Sequence, residues 1–177
     1  MRFLSLLGIA LCLGLSTSPA QAKRPIPKTN AEQLIYFLNS ETAFKDYALQ
    51  CAGCHRFDGA GAKHSSVPDF NHSIGLFTRF PEGRSYMIRV PGAAQSEITN
   101  DDLALVLNYI VAKFSPEEFE SGTYRPFTAS EVGASRAYRL QDVAAERARL
   151  ETIMAEHGLT PSLYLFGKTG QSYQASK

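Results

Sequence analysis

Cys51-Ala52-Gly53-Cys54-His55 is the stretch that decides how the rest of the chain is read. The C-x-x-C-H pattern reads as covalent haem attachment. Two thiols three residues apart on a helical turn can reach the two vinyl groups along one edge of a porphyrin. The histidine that follows at once then sits under the iron as the proximal ligand. Three other chemistries use paired cysteines. A thioredoxin-like dithiol needs a βαβ setting, whereas the flanks here are helical in pattern. A structural zinc site needs a second ligand pair, and His64, His72 and His157 are scattered with no further cysteine pair beside them. A disulfide within the motif is strained at this spacing.

Upstream, Arg2 precedes the apolar run Leu4 to Leu15, and Ala20-Gln21-Ala22 has the small-x-small form of a processing site. The run is too short to span a bilayer and has the flanks of a secretory signal, so cleavage after Ala22 and export to the periplasm are expected, with no lasting membrane anchor. Cys12 lies inside this run after Leu11, without the small residue that precedes a lipidated cysteine. An exported, oxidising location suits haem attachment, which bacteria perform outside the cytoplasm.

Of the 18 basic residues only Arg2 falls in 1–22, and none of the 17 acidic ones does, so the 155 residues that follow are formally neutral. There is no basic block and no interleaving of basic with aromatic residues, which excludes a nucleic-acid partner. With 44% hydrophobic and 20% charged residues, the chain is able to bury a core.

The periodicity is helical throughout, and the predicted class is all-α. Pro25 and Pro27 mark an extended leader. Asn30 opens a helix with Gln33 as capping-box partner, and Ser40 restarts it so that Phe44, Tyr47, Ala48 and Cys51 follow at helical spacing. Gly59 and Gly61 loosen the loop after the motif. Gly75 to Gly83 reads as a loop and Arg84 to Val90 as a short helix stopped by Pro91-Gly92. Thr99 to Phe114 is the clearest helix, with Thr99 as N-cap, Asp102 in the first turn and a stripe of Leu103, Val106, Leu107, Ile110 and Phe114. Thr128-x-x-Glu131 opens another helix, and Gln141 to His157 a last one ended by Gly158. Arg136, Arg139, Arg147 and Arg149 read as a solvated, ion-paired face. The Gly/Ser/Gln-rich tail after Pro161 is expected to be mobile.

Residues 41–114, about half of the chain beyond the signal, resemble a class I mono-haem c-type cytochrome of the bacterial periplasm. The resemblance rests on a helix running into the C-x-x-C-H motif, the following Val67-Pro68, and a final helix carrying Asn108-Tyr109-Ile110. It implies a cytochrome c-like helical domain over residues 23–114 around one covalent haem c, with 115–177 as an additional C-terminal helical extension. It also implies that Phe44 and Tyr47 pack against Tyr109, that the Pro68 carbonyl accepts from the His55 ring, and that the work is electron transfer between redox protein partners. In the family the sixth ligand is a methionine in the loop before the last helix, but Gly92 to Ile98 holds none. Met87 and His72 (ahead of His64) are the candidates, and an open site is the third case. The function is thus a free electron carrier or the cytochrome subunit of an oxidoreductase, with a five-coordinate haem enzyme or small-ligand binder as the alternative. For residues 115–177 the expectation is that they pack back onto the haem domain, with Phe119 to Phe127 as a strap.

Overall fold

A computed structural model describes residues 25–62 and 67–164; the expected signal segment, His64 and the tail beyond Tyr164 lie outside the described residues. Among the described residues the chain is helical, as expected, with one isolated antiparallel bridge between Ala62 and Val67 and no strand. No helix there is long and apolar enough to cross a membrane.

The first three helices deliver the motif. α1 (Asn30–Leu38) starts one residue earlier in its capping logic than the sequence suggested. Thr29, not Asn30, is the N-cap: its hydroxyl accepts from the Glu32 N–H and donates to the Glu32 carboxylate. Asn30 is drawn into tertiary bonding instead, donating to Gln33 Oε1 and to the Tyr124 carbonyl. Ser40 does restart the chain, its hydroxyl capping α2 (Glu41–Gln50) through the Ala43 N–H. α2 crosses α6 (Asn100–Phe114), whose N-cap is Thr99 as predicted. Tyr109 of α6 meets both Phe44 and Tyr47, with ring centroids 6.4 and 5.8 Å apart, which is the contact the resemblance implied. Cys51 then turns the chain into the single-turn α3 (Ala52–His55).

The segment read as a loop is more ordered than its glycines suggested. Ile74–Arg79 forms a 3-10 helix, and α4 (Pro81–Arg89) begins at Pro81, which occupies the first turn where no N–H is needed. Gly83 is a packing residue rather than a breaker. A Cβ there would lie 2.2 Å from the Phe77 carbonyl oxygen, so only glycine lets α4 press onto the 3-10 turn. α5 (Pro91–Ala94) is a further short turn before α6.

Beyond Ser115 come α7 (Glu117–Glu120), α8 (Ala129–Arg136) and α9 (Val143–Glu156). Their apolar residues do not stand alone. Phe119, Tyr124, Phe127, Val132, Leu150 and Met154 share one buried cluster with Phe37, Phe77, Ile88, Leu103 and Leu107. Burying a side chain such as Phe37 or Leu150 contributes about 1.5–3 kcal/mol, so the cluster couples the two parts of the chain strongly. The strap from Phe119 to Phe127 is fastened to α6 by Asn108. Its carboxamide oxygen accepts from the Tyr124 hydroxyl and the Phe127 N–H, and its amide donates to the Phe127 carbonyl.

The arginines correct the reading of a solvated face. Arg147 is only 3% exposed; it donates to Glu151 and to the Ser162 carbonyl and lies 4.5 Å over the Phe77 ring. Arg136 is bonded to the loop before α6. Arg149, paired with Glu146, does fit the surface description. Helical periodicity could not separate them, because an arginine's apolar stem packs as readily as its head solvates.

Buried Arg84 forms a two-pronged pair with Glu131, at 2.6 Å for each prong, and Arg125 adds two longer bonds of 3.2 and 3.1 Å. Glu131 therefore serves α4 instead of closing a capping box, while the Thr128 hydroxyl still caps its N–H. Burial pushes the Glu131 carboxyl up, and the two guanidinium groups more than offset this, leaving it below its ordinary 4.5. Its stabilisation is thus present above the unfolded-state value and lost as pH falls through the lower folded value. Urea midpoints measured from neutral to strongly acidic pH should fall less steeply in Glu131→Gln than in the wild type, from a lower starting stability because Arg84 is left buried without its counter-charge.

Candidate functional site

α3 is one turn long and exists because Cys51 stops α2 and the His55 and Cys54 N–H groups both return to the Cys51 carbonyl, at 2.9 and 3.2 Å. The turn places both thiols and the imidazole at one end of the α2–α6 crossing. Both cysteines are free; Cys51 is half-buried and Cys54 exposed. Burial, reinforced by Asp46 and Cys54, pushes the Cys51 thiol up to about 11. A dithiol oxidoreductase needs the opposite, a thiolate stabilised at neutral pH. Nor do three His, Cys, Asp or Glu side chains converge anywhere among the described residues, so a structural zinc has no donor set there.

His55 ends the turn as a half-buried imidazole. Burial pushes its imidazole down to about 4, against a smaller opposing pull from the Pro68 carbonyl, so the ring is neutral at physiological pH, as metal ligation requires. Its Nδ1 is buried without a well-formed hydrogen bond. The Pro68 carbonyl is near enough to act on the ring but is not aligned to accept its proton. An orphaned buried imidazole nitrogen is uncommon, and here the Pro68 carbonyl is the backbone acceptor that acts on the ring.

The loop after the motif folds back to hold that acceptor. Ala62 and Val67 exchange N–H···O bonds of 3.0 and 3.1 Å, and the Phe70 N–H reaches the Gly59 carbonyl at 2.8 Å. Gly61 has φ +63°, and a Cβ there would lie 2.4 and 2.5 Å from the Val67 and Pro68 carbonyl oxygens. Glycine is needed at this place for both conformation and space. Phe70 then stacks on the His55 ring at 3.8 Å and 15°. The sequence offered no signal for this stacking, because the two rings lie on either side of a long loop.

Cys51, Cys54, His55 and Pro68 are thus brought together. The other two candidates are placed elsewhere. Met87 is 4% exposed within the larger cluster of α1, α4, α6, α8 and α9. The His72 ring is 81% exposed and lies 3.4 Å from the Glu117 carboxylate. The cluster around the motif contains Ala52, Phe70, Val106, Tyr109 and Ile110, with half-buried Cys51, Ile74 and Ile98 against it; Ile74 and Ile98 also touch the larger cluster. A groove of about 1010 Å³ lined by Ile35, Tyr36, Ala104, Leu105 and Phe127 has neither cysteine nor His55 in its walls.

Two unbridged thiols on one turn, a neutral half-buried imidazole after them, and an all-helical frame define a protein built to carry a c-type haem. Comparison with known proteins agrees. The chain is 32% identical to cytochrome c-552 of Thermus thermophilus over 126 aligned residues, spanning 60% of this chain and 94% of the relative. A second cytochrome c-552 sequence from that organism matches at the same identity, with 83% of its length covered. No family model and no solved structure matches. The chain belongs to the class I c-type cytochromes, which transfer electrons.

Proposed function

We propose that the chain is an exported, periplasmic electron carrier with one haem c, acting alone or as the cytochrome subunit of an oxidoreductase. The observation that carries this reading is the half-buried, neutral His55 on the same turn as two free thiols. Cys51 and Cys54 form the thioethers, His55 Nε2 is the proximal donor, and the group they hold supplies a reversible one-electron couple. Fixing Nε2 orients the ring, so that Nδ1 donates to the Pro68 carbonyl and the imidazole becomes a stronger donor. Met87 is the better placed of the two sixth-ligand candidates, because its thioether is buried in the core that adjoins the motif cluster through Ile74 and Ile98. Residues 23–114 form the haem domain and the C-terminal extension braces it.

The enzyme alternative needs a cation or donor poised over bound oxygen. The arginines that follow the motif in sequence are engaged elsewhere. Arg79 is bonded to Glu118, Arg84 to Glu131, and Arg89 to the Tyr138 carbonyl, all on the extension. Protein matured with a haem-attachment system should retain one haem per chain through acid–acetone extraction and show reversible one-electron voltammetry. Its ferric spectrum should show a sulfur-to-iron charge-transfer band that is absent from Met87→Leu. Haem that washes out overturns the proposal; a missing band overturns the ligand assignment alone.

A further inference from the structure

The loop between α5 and α6, Gln95 to Thr99, has little hydrogen bonding of its own. Three carbonyls in it and at its start are bonded instead by one side chain from the extension. Arg136, the last residue of α8, donates through Nε to the Ala94 carbonyl at 3.0 Å and through Nη1 to the Ile98 carbonyl at 2.8 Å. The same Nη1 reaches Asn100 Oδ1 at 3.3 Å, while Nη2 donates to the Ser96 carbonyl and lies 3.1 Å from the Ser96 hydroxyl. Carbonyls of alternate residues, 94, 96 and 98, therefore converge on one planar fork. Only a guanidinium presents donors in that geometry; a lysine ammonium is a point donor on a flexible stem. Gly133, one turn earlier on α8, packs closely on Asn100: a Cβ there would lie 3.0 Å from the Asn100 side-chain nitrogen.

The clamped loop is part of the wall around the motif. Ile98 packs against the same cluster as Cys51, and also against the larger core. Between the turn that ends at Ala94 and Ile98, the loop offers Gln95, Ser96 and Glu97, none of which is a usual haem-iron ligand. Its contribution there is cover rather than coordination.

We propose that Arg136 is the positioning residue for this cover: by pinning Ala94 to Ile98 it keeps the loop closed beside the haem and limits the access of small ligands to the iron. The inference rests on the haem reading above. Its test uses the intact holoprotein in a Met87→Leu background, which leaves the sixth position open, with covalent haem verified in each variant, and follows carbon monoxide binding to the ferrous form by stopped flow. Arg136→Ala should bind carbon monoxide about tenfold faster or more, as expected when charge-assisted bonds to three carbonyls are lost. Arg136→Lys should remain fast, because it keeps the charge and loses the fork. Val132→Ala, on the same helix and fully buried, should lower stability and leave the rate unchanged. Should the Arg136 variants fail to fold, hydrogen exchange on the wild-type holoprotein decides: the Gln95 and Ser96 amides, bonded to the Pro91 and Ala93 carbonyls in the pinned segment, should be protected, and rapid exchange there overturns the clamp. An unchanged rate in Arg136→Ala, a slow rate in Arg136→Lys, or an equal acceleration in Val132→Ala also overturns it, while the haem reading stands. A wild type without covalent haem overturns both.

Discussion

Replacing both motif cysteines by serine should abolish covalent haem. After maturation and acid–acetone extraction the double variant Cys51→Ser, Cys54→Ser should give no haemochrome and an unmodified mass, while each single variant should retain one thioether. The expectation follows from the geometry: both thiols lie on one turn, neither is held in a disulfide, and Cys54 is exposed. The fold itself should suffer little from the change, since serine is close in size and the turn is held by backbone bonds to the Cys51 carbonyl. Far-ultraviolet circular dichroism of the apoprotein checks this. A double variant that still holds extraction-resistant haem would count decisively against attachment at these residues.

Asn108→Ala is expected to cost about 3–5 kcal/mol, a large share of the roughly 5–15 kcal/mol typical of a domain. Asn108 is 1% exposed and answers three groups of the strap at once: the Tyr124 hydroxyl, the Phe127 N–H and the Phe127 carbonyl. Alanine leaves all three buried and unpaired, and each such group carries a desolvation penalty of about 1–3 kcal/mol. Tyr124→Phe removes one of the three bonds and should cost about 1–2 kcal/mol by the same reasoning. Urea unfolding of the two variants, with slopes compared to the wild type, measures both. A loss below about 1 kcal/mol for Asn108→Ala would mean that water replaces the side chain and that the strap is held by its apolar residues alone.

The residues up to α6 and those after it therefore share their stability. Arg79, Arg84 and Arg89 reach from the first part of the chain to the second, and Arg136 reaches back. A cytochrome limits reorganisation by holding its cofactor in a rigid cage, and much of the bracing in this chain comes from residues that follow α6.

What the chain's order of residues determined by itself was local. Cys51-x-x-Cys54-His55 could be read as a haem-attaching turn because thioether and ligand spacing are set within five consecutive residues. The helices ending at Gln50 and beginning at Asn100 were legible because a 3.6-residue stripe with a Ser or Thr cap is a short-range signal. Even the Tyr109 contact with Phe44 and Tyr47 could be anticipated, though only through the family's known helix crossing. Tertiary structure decided what depends on distant partners. It moved the first cap to Thr29 by drawing Asn30 to Tyr124, made Gly83 a contact rather than a break, and stacked Phe70 on His55. It also took Arg147 and Arg136 out of the surface that their helices predicted. An arginine, glycine or asparagine carries no periodic hydrophobic signature; its role is set by which carbonyl, carboxylate or ring the fold brings to it, and that is fixed only when the helices pack.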